Sequence, residues 1–207
     1  SGFMPEWASP GHRECMIGNN SISLLTDAWM KGIRTICPEK ALEAMIHQTE
    51  ARHPGISSVG RDGFGYYDRL GYVPYPEVHE ATAKTLEYAY ADWCVARFAD
   101  SIGRKEIADT YYRKALNYRN LYYPDYGFMW AKDANGKWRD AFDSTEWGGP
   151  FTEGSSWHWT WSVLHDPEGL SRLMGGHTAM EARLDSMFTA PNTYNYGTYG
   201  FVIHEIA

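Results

Sequence analysis

The 207-residue chain is poor in cysteine, with only Cys15, Cys37 and Cys94, too far apart for a CxxC pair. A zinc or dithiol redox motif is therefore excluded, and the odd count points to buried free thiols. Positive charge is also scarce: 19 Lys and Arg face 26 Asp and Glu, for a net charge of −7. Binding to a phosphate backbone needs clustered basic residues, so a nucleic-acid partner is excluded. No apolar run approaches the roughly 20 residues that cross a bilayer. A phosphate-cradling loop is missing too, because Gly60-Arg61-Asp62-Gly63-Phe64-Gly65 lacks the required lysine and follows no predicted strand. There is no GxSxG elbow. Alternating apolar and polar runs are absent, so strands should be few and short.

Aromatic residues, by contrast, are abundant, with 9 Trp, 15 Tyr and 8 Phe making 15% of the chain. With 43% apolar content the chain can offset the cost of ordering, and its length suits a single domain over residues 1–207 with a real core. The helical period dominates. It predicts helices from Ser21 to Gly32, after Pro38, from Thr82 to Ser101 and from Lys105 to about Tyr122. Gly103 falls where a left-handed stop belongs, and Asp166 where an N-cap belongs before Pro167. Thr178 and Glu181 form a candidate capping box, and another helix is expected near Ser155. The fold class is mainly α. Long loops over 52–80, 124–154 and 189–201 suit a layered or toroidal helical array with functional loops at one rim. Tyr90, Trp93, Tyr111 and Tyr112 lie on helical stripes and are assigned to the core.

Three constellations could carry chemistry. In Phe151-Thr152-Glu153-Gly154-Ser155-Ser156-Trp157-His158-Trp159-Thr160-Trp161, a carboxylate stands at a loop-to-helix junction ahead of three indoles. Partial desolvation by those rings would raise the Glu153 pKa and suit it to protonate a leaving group. The plainer reading makes Glu153 a helix cap and the indoles core, with Trp157 and Trp161 on one helical face. In Trp7-Ala8-Ser9-Pro10-Gly11-His12-Arg13-Glu14, the guanidinium could clasp sugar hydroxyls while the indole stacks on a sugar face. Its alternative is a surface Arg–Glu pair worth little. The acids Asp140, Asp143 and Glu146 could form a carboxylate pair or hold a cation, or could simply be solvated. His204-Glu205 would need a histidine at position 208 to be a zinc-protease motif, and His79-Glu80 has Ala83 where that second histidine should stand. Indoles, a guanidinium and carboxylates together suit a carbohydrate, which presents apolar faces and fans of hydroxyls. Trp7, Trp157 and the neighbours of Glu153, His158 among them, are the candidates to line such a site.

Several runs are recognisable. Arg13-Glu14-Cys15-Met16-Ile17-Gly18, Gly71-Tyr72-Val73-Pro74, the stretch from Thr85 to Cys94, the Thr152–Trp161 run, His165-Asp166-Pro167-Glu168-Gly169-Leu170 and Leu173-Met174-Gly175-Gly176 resemble the α-mannosidases of glycoside hydrolase family 92. The resemblance runs in order through nearly the whole chain. It implies an N-terminal β-sandwich followed by an (α/α)6 barrel, of which this chain is a central piece. It also implies release of mannose from α-linked mannosides with inversion, with the help of a calcium ion. Glu153 matches the general acid, and Arg13 a residue that holds mannose in the catalytic subsite. His204 and Glu205 match a pair that shapes the leaving-group subsite in members preferring α-1,2 linkages. The base carboxylates and most Ca2+ ligands would lie past residue 207, so no metal ligand is assigned here and the piece alone is expected to be inactive. The implied partner is a mannose-containing glycan, and the implied compartment is periplasmic or extracellular. Two rivals remain at this point: a non-catalytic glycan-binding helical domain, and another (α/α) barrel enzyme such as a lyase or epimerase.

Overall fold

Helix formation follows the apolar spacing in a computed structural model that describes residues 2–6, 17–50, 52–55, 59–190, 193 and 195–196. Two compact units emerge, Ser1–Gly71 with Glu87–Asn117, and Tyr72–Leu86 with Tyr118–Ala207. The chain is mainly α, as its periodicity predicts.

In the first unit, α1 (Ser21–Met30) buries Ile22 and Thr26, and α2 (Pro38–Glu50) starts on a proline whose fixed φ suits a first helical residue. A short α3 (Phe64–Leu70) lies inside what the sequence presents as loop. Gly63 and Gly71, both near φ 73°, delimit it with left-handed turns that side chains rarely adopt. The long α4 (Ala81–Ser101) contributes Cys94, Val95, Phe98 and Ala99 to a core with Met4, Ile22, Leu42, Met45, Ala108 and Tyr111. Burying each large apolar side chain contributes about 1.5–3 kcal/mol. Tyr90, Trp93 and Tyr112 pack half-buried against this cluster, as expected of their stripe. Gly103, at φ 77°, ends the helix as foreseen. The next helix is shorter than its spacing predicts: α5 (Lys105–Lys114) tightens into a 3-10 segment over Ala115–Leu121.

A polar network lies inside this unit. Arg61 and Asp92, 4% and 0% exposed at their side chains, form an ion pair at 2.8 Å. The Tyr67 hydroxyl donates to Asp92 at 2.8 Å, and Arg61 donates to the Tyr88 carbonyl at 3.0 Å. Arg61 also lies over the Tyr88 ring at 4.7 Å. The thiols divide: Cys94 is buried, with burial pushing it up to about 12, but Cys37 is exposed, against the expectation of buried thiols. Cys37 precedes the first turn of α2 and so misses the face that enters the core. Cys15 lies outside the described residues.

In the second unit, β1 (Tyr122–Tyr123) pairs antiparallel with β2 (Phe128–Met129). Then come a single turn α6 (Ser156–Trp159), α7 (Pro167–Leu173) and α8 (His177–Thr189). Asp166 caps α7 as expected, accepting from the Gly169 amide at 2.8 Å, and from Tyr118 and Arg119 at 2.7 and 2.9 Å. The Thr178/Glu181 capping box does not form. Gly175 and Gly176, at φ 96° and 109°, turn the chain early, so α8 starts at His177 with no side-chain cap.

Candidate active site

The aromatic excess of the second unit packs largely upon itself. Trp130 and Phe151 are fully buried, with ring centroids 6.0 Å apart. Phe142 meets Tyr126 at 4.1 Å, Trp130 at 5.0 Å and Phe128 at 5.8 Å. Tyr123 stacks on Trp138 at 4.3 Å. This wall supports the loop that carries Glu153.

That loop is fixed at several points. The Gly148 amide donates to the Gly154 carbonyl at 2.9 Å, closing residues 148–154 into a ring. The Pro150 carbonyl accepts from the Thr82 and Ala83 amides at 3.0 and 3.2 Å, using donors that the start of α4 leaves open. Phe151 anchors the loop in the wall. Beyond it, Ser156 donates to the Met129 carbonyl at 3.0 Å, and the Met129 amide donates to Thr160 at 2.9 Å, tying α6 to β2.

Glu153 sits between these fixings at φ 44°, in the left-handed region where a residue with a Cβ is strained. The structure departs from two sequence expectations at this turn. First, Glu153 does not cap the helix. Ser155 does, its hydroxyl accepting from the Trp157 amide at 3.3 Å, with His158 completing a capping box. Second, the indoles do not desolvate Glu153, whose side chain is exposed. They turn elsewhere: the Trp159 Nε1–H donates to the Thr152 carbonyl at 2.8 Å, and Trp157 sets its edge against Phe128 at 4.7 Å. Because α6 ends at Trp159, Trp157 and Trp161 do not share a helical face. No hydrogen bond or ion pair holds the Glu153 carboxylate among the described residues. Gly154 has little room for a side chain, since a Cβ there would meet Trp159 Nε1 at 3.0 Å and Cδ1 at 3.1 Å.

Of the other candidates, Trp157 and His158 are half-buried beside this turn. The His158 ring meets Trp147 at 5.0 Å, and burial lowers its pKa. Trp7, Arg13, His204 and Glu205 lie outside the described residues. The acids before Glu153 are each engaged locally. Asp140 pairs with Lys137 at 2.8 Å and Glu146 with Arg139 at 2.6 Å. Asp143 accepts from the Thr145 amide and hydroxyl at 2.9 and 2.6 Å and from Asn195 at 3.2 Å. Burial works against the ionised Asp143, yet these hydrogen bonds hold it below its ordinary range. Among the described residues, no three His, Cys, Asp or Glu side chains gather to hold a metal. Sequence reasoning missed Ser155 and Phe151 as supports of the site. The Ser-x-x-His spacing could have announced the first, whereas nothing local marks the second.

A mainly helical chain that fixes an unpaired, exposed carboxylate on a strained turn beside indole rings has the make-up of a glycosidase segment. Comparison with known proteins agrees. Residues 1–205 match the glycosyl hydrolase family 92 catalytic domain. The chain belongs to that family. It is 83% identical to a family GH92 inverting mannosidase from Bacteroides thetaiotaomicron, with a TM-score of 0.89, covering 100% of this chain and 28% of that one. A family GH92 α-mannosidase from the same bacterium, solved with mannoimidazole, is 32% identical with a TM-score of 0.77, over 87% of this chain and 24% of that one. An uncharacterized secreted glycosidase of Arthroderma benhamiae is 28% identical over 200 residues, 81% of this chain and 26% of the relative. The chain thus spans about a quarter of the length of these relatives.

Proposed function

We propose that the whole protein hydrolyses α-linked mannosides with inversion, α-1,2 linkages among them, and that Glu153 is its general acid. The observation that carries this reading is the Glu153 turn itself. A carboxylate is held at φ 44°, exposed and unpaired, in a chain 83% identical to an inverting mannosidase. Backbone strain of this kind persists where the surroundings over-determine it, and it collects at functional sites.

In an inverting glycosidase the acid and base stand roughly 6.5–9.5 Å apart, leaving room for water on the far face of the sugar. Glu153, protonated, gives its proton to the glycosidic oxygen as the bond to the anomeric carbon breaks. A bound mannoside covers the exposed carboxyl and supplies the desolvation that this turn lacks. Asp140, Asp143 and Glu146 are engaged in local contacts, and the family resemblance implies that the base that activates water lies past residue 207. The described residues offer no cluster of three His, Cys, Asp or Glu side chains that could hold a metal. Calcium dependence, with most of the ligands past residue 207, is proposed for the whole protein from the family resemblance. Arg13, Trp7, Trp157, His204 and Glu205 are each proposed to bind the mannoside, while the His158 ring is taken up by Ser155. A mannose-containing glycan is the proposed partner, met in the periplasm or outside the cell. The secreted relative supports that compartment, and no helix among the described residues is long and apolar enough to cross a membrane.

Glu153→Gln in the whole enzyme tests the assignment. Losing a general acid costs about 10²–10⁴-fold in turnover. Mannoside binding should persist, and aryl mannosides whose leaving group needs no proton should suffer least. Unchanged turnover of natural linkages would remove Glu153 from the acid role.

A further inference from the structure

The capping box that follows Glu153 has a histidine where Glu or Gln ordinarily stands. His158 Nδ1 lies 3.2 Å from the Ser155 amide and 3.1 Å from the Ser155 hydroxyl. A backbone N–H can only donate. Nδ1 must therefore be the acceptor, and a neutral ring then carries its proton on Nε2. Ser155 is fully buried, so its amide has no water to turn to if Nδ1 gains a proton. A protonated Nδ1 could still donate to the Ser155 hydroxyl, but it would face the amide donor-to-donor.

We propose that His158 is a positioning residue for the acid: through Ser155 it fixes the turn that carries Glu153, and it does so only as the neutral ring protonated on Nε2. The inference rests on the Glu153 reading above. The linkage is short. Ser155 is two residues from Glu153, and Gly154 between them lies close to the Trp159 indole and the His158 Cβ, where a Cβ would come within 3.0–3.3 Å. Trp147 from the preceding loop meets the ring at 5.0 Å, and Ser155 faces it from its own turn. Burial lowers the pKa of His158, which keeps the ring neutral at neutral pH. As pH falls through that lowered value the ring charges, the Ser155 amide loses its acceptor, and the carboxyl loses its aim.

The test uses the whole enzyme with His158→Leu, His158→Gln and Glu153→Gln, on a natural mannoside and on an activated aryl mannoside. Misplacing a catalytic group by about 1 Å can cost about 10²-fold, so His158→Leu should lower kcat by roughly 10- to 100-fold with KM little changed. Glutamine can accept from the Ser155 amide and cannot be protonated. His158→Gln should therefore recover most of that loss and keep its turnover at mildly acid pH, where the wild type declines. The His158→Leu deficit should shrink on the aryl mannoside, as that of Glu153→Gln should. Equal losses in the leucine and glutamine variants, or a loss carried by KM, would overturn the proposal. If His158→Leu does not fold, the glutamine pH profile and the 15N shifts of the wild-type ring decide, and a proton on Nδ1 at neutral pH overturns it. If Glu153→Gln lacks the leaving-group signature, the acid assignment falls. If it shows the signature and His158→Leu does not, only the role of His158 falls.

Discussion

Replacing Glu153 by glycine should leave the fold more stable than replacing it by alanine, the reverse of the usual order. At φ 44° any residue with a Cβ crowds its own carbonyl, at a cost of about 1–2 kcal/mol that glycine escapes. Glycine in turn gives the unfolded chain more freedom, which costs about 0.4–1 kcal/mol. The difference favours glycine by about 0.7 kcal/mol, close to threefold in the folding equilibrium. Because Glu153 is exposed, truncating it removes little packed surface in either variant. The assay is urea unfolding followed by the intrinsic fluorescence of the nine tryptophans. With a slope of about 2 kcal/mol/M, the Glu153→Gly midpoint should lie roughly 0.3 M above that of Glu153→Ala. Ala141, exposed and at φ 56°, offers an independent control, and Ala141→Gly should also be stabilising. A Glu153→Gly midpoint at or below that of Glu153→Ala would mean the turn is not strained, and the structural support for its functional reading would go with it.

Two further outcomes follow from the polar contacts. Asp92→Asn leaves the buried Arg61 guanidinium without its counter-charge and should cost about 3–5 kcal/mol in urea unfolding, whereas Arg61→Met with Asp92→Leu should recover most of it; a single-variant loss under about 1 kcal/mol would contradict this. Asp166→Ala removes the cap of α7 and should cost about 1 kcal/mol at neutral pH. Burial opposes the ionised Asp166, but hydrogen bonds from Tyr118, Arg119 and the Gly169 amide outweigh it and hold the carboxyl below its ordinary range. Its contribution is thus complete above the unfolded pKa of about 3.9 and is lost as pH falls through the lower folded value. The gap between wild type and Asp166→Ala should close there, and a gap that persists in strong acid would refute the linkage.

Where apolar residues recur every three or four positions, helices could be read directly, as in α4 and in α2 behind Pro38. The Asp166 cap was legible because a short acid before proline has one obvious use. α3 was hidden because Phe64–Leu70 is brief, contains Gly65 and is delimited by glycines rather than capped by side chains. The Thr178/Glu181 pair misled because the two glycines ahead of it had already turned the chain. For the site, a carboxylate among indoles was enough to single out Glu153, but not to foresee its exposure. That depends on where each ring finds a partner: Trp159 on the Thr152 carbonyl and Trp157 on Phe128, contacts that no linear spacing specifies. Arg61 sits in a glycine-rich run that looks like surface, and only its distant partners, Asp92 and Tyr88, make it an interior residue.

The fixings of the Glu153 loop behave as a kinematic mount does for an optical element. One is the start of α4 at Pro150, another is Phe151 in its aromatic wall, and a third is the tie between β2 and α6. Each removes a different freedom, and none uses Glu153 itself. An element located this way keeps its alignment while the frame around it is rebuilt. Substitutions can therefore accumulate on the outer faces of α7 and α8 without redirecting the carboxylate, while a change as small as one methyl group at Gly154 bears directly on the mounted part.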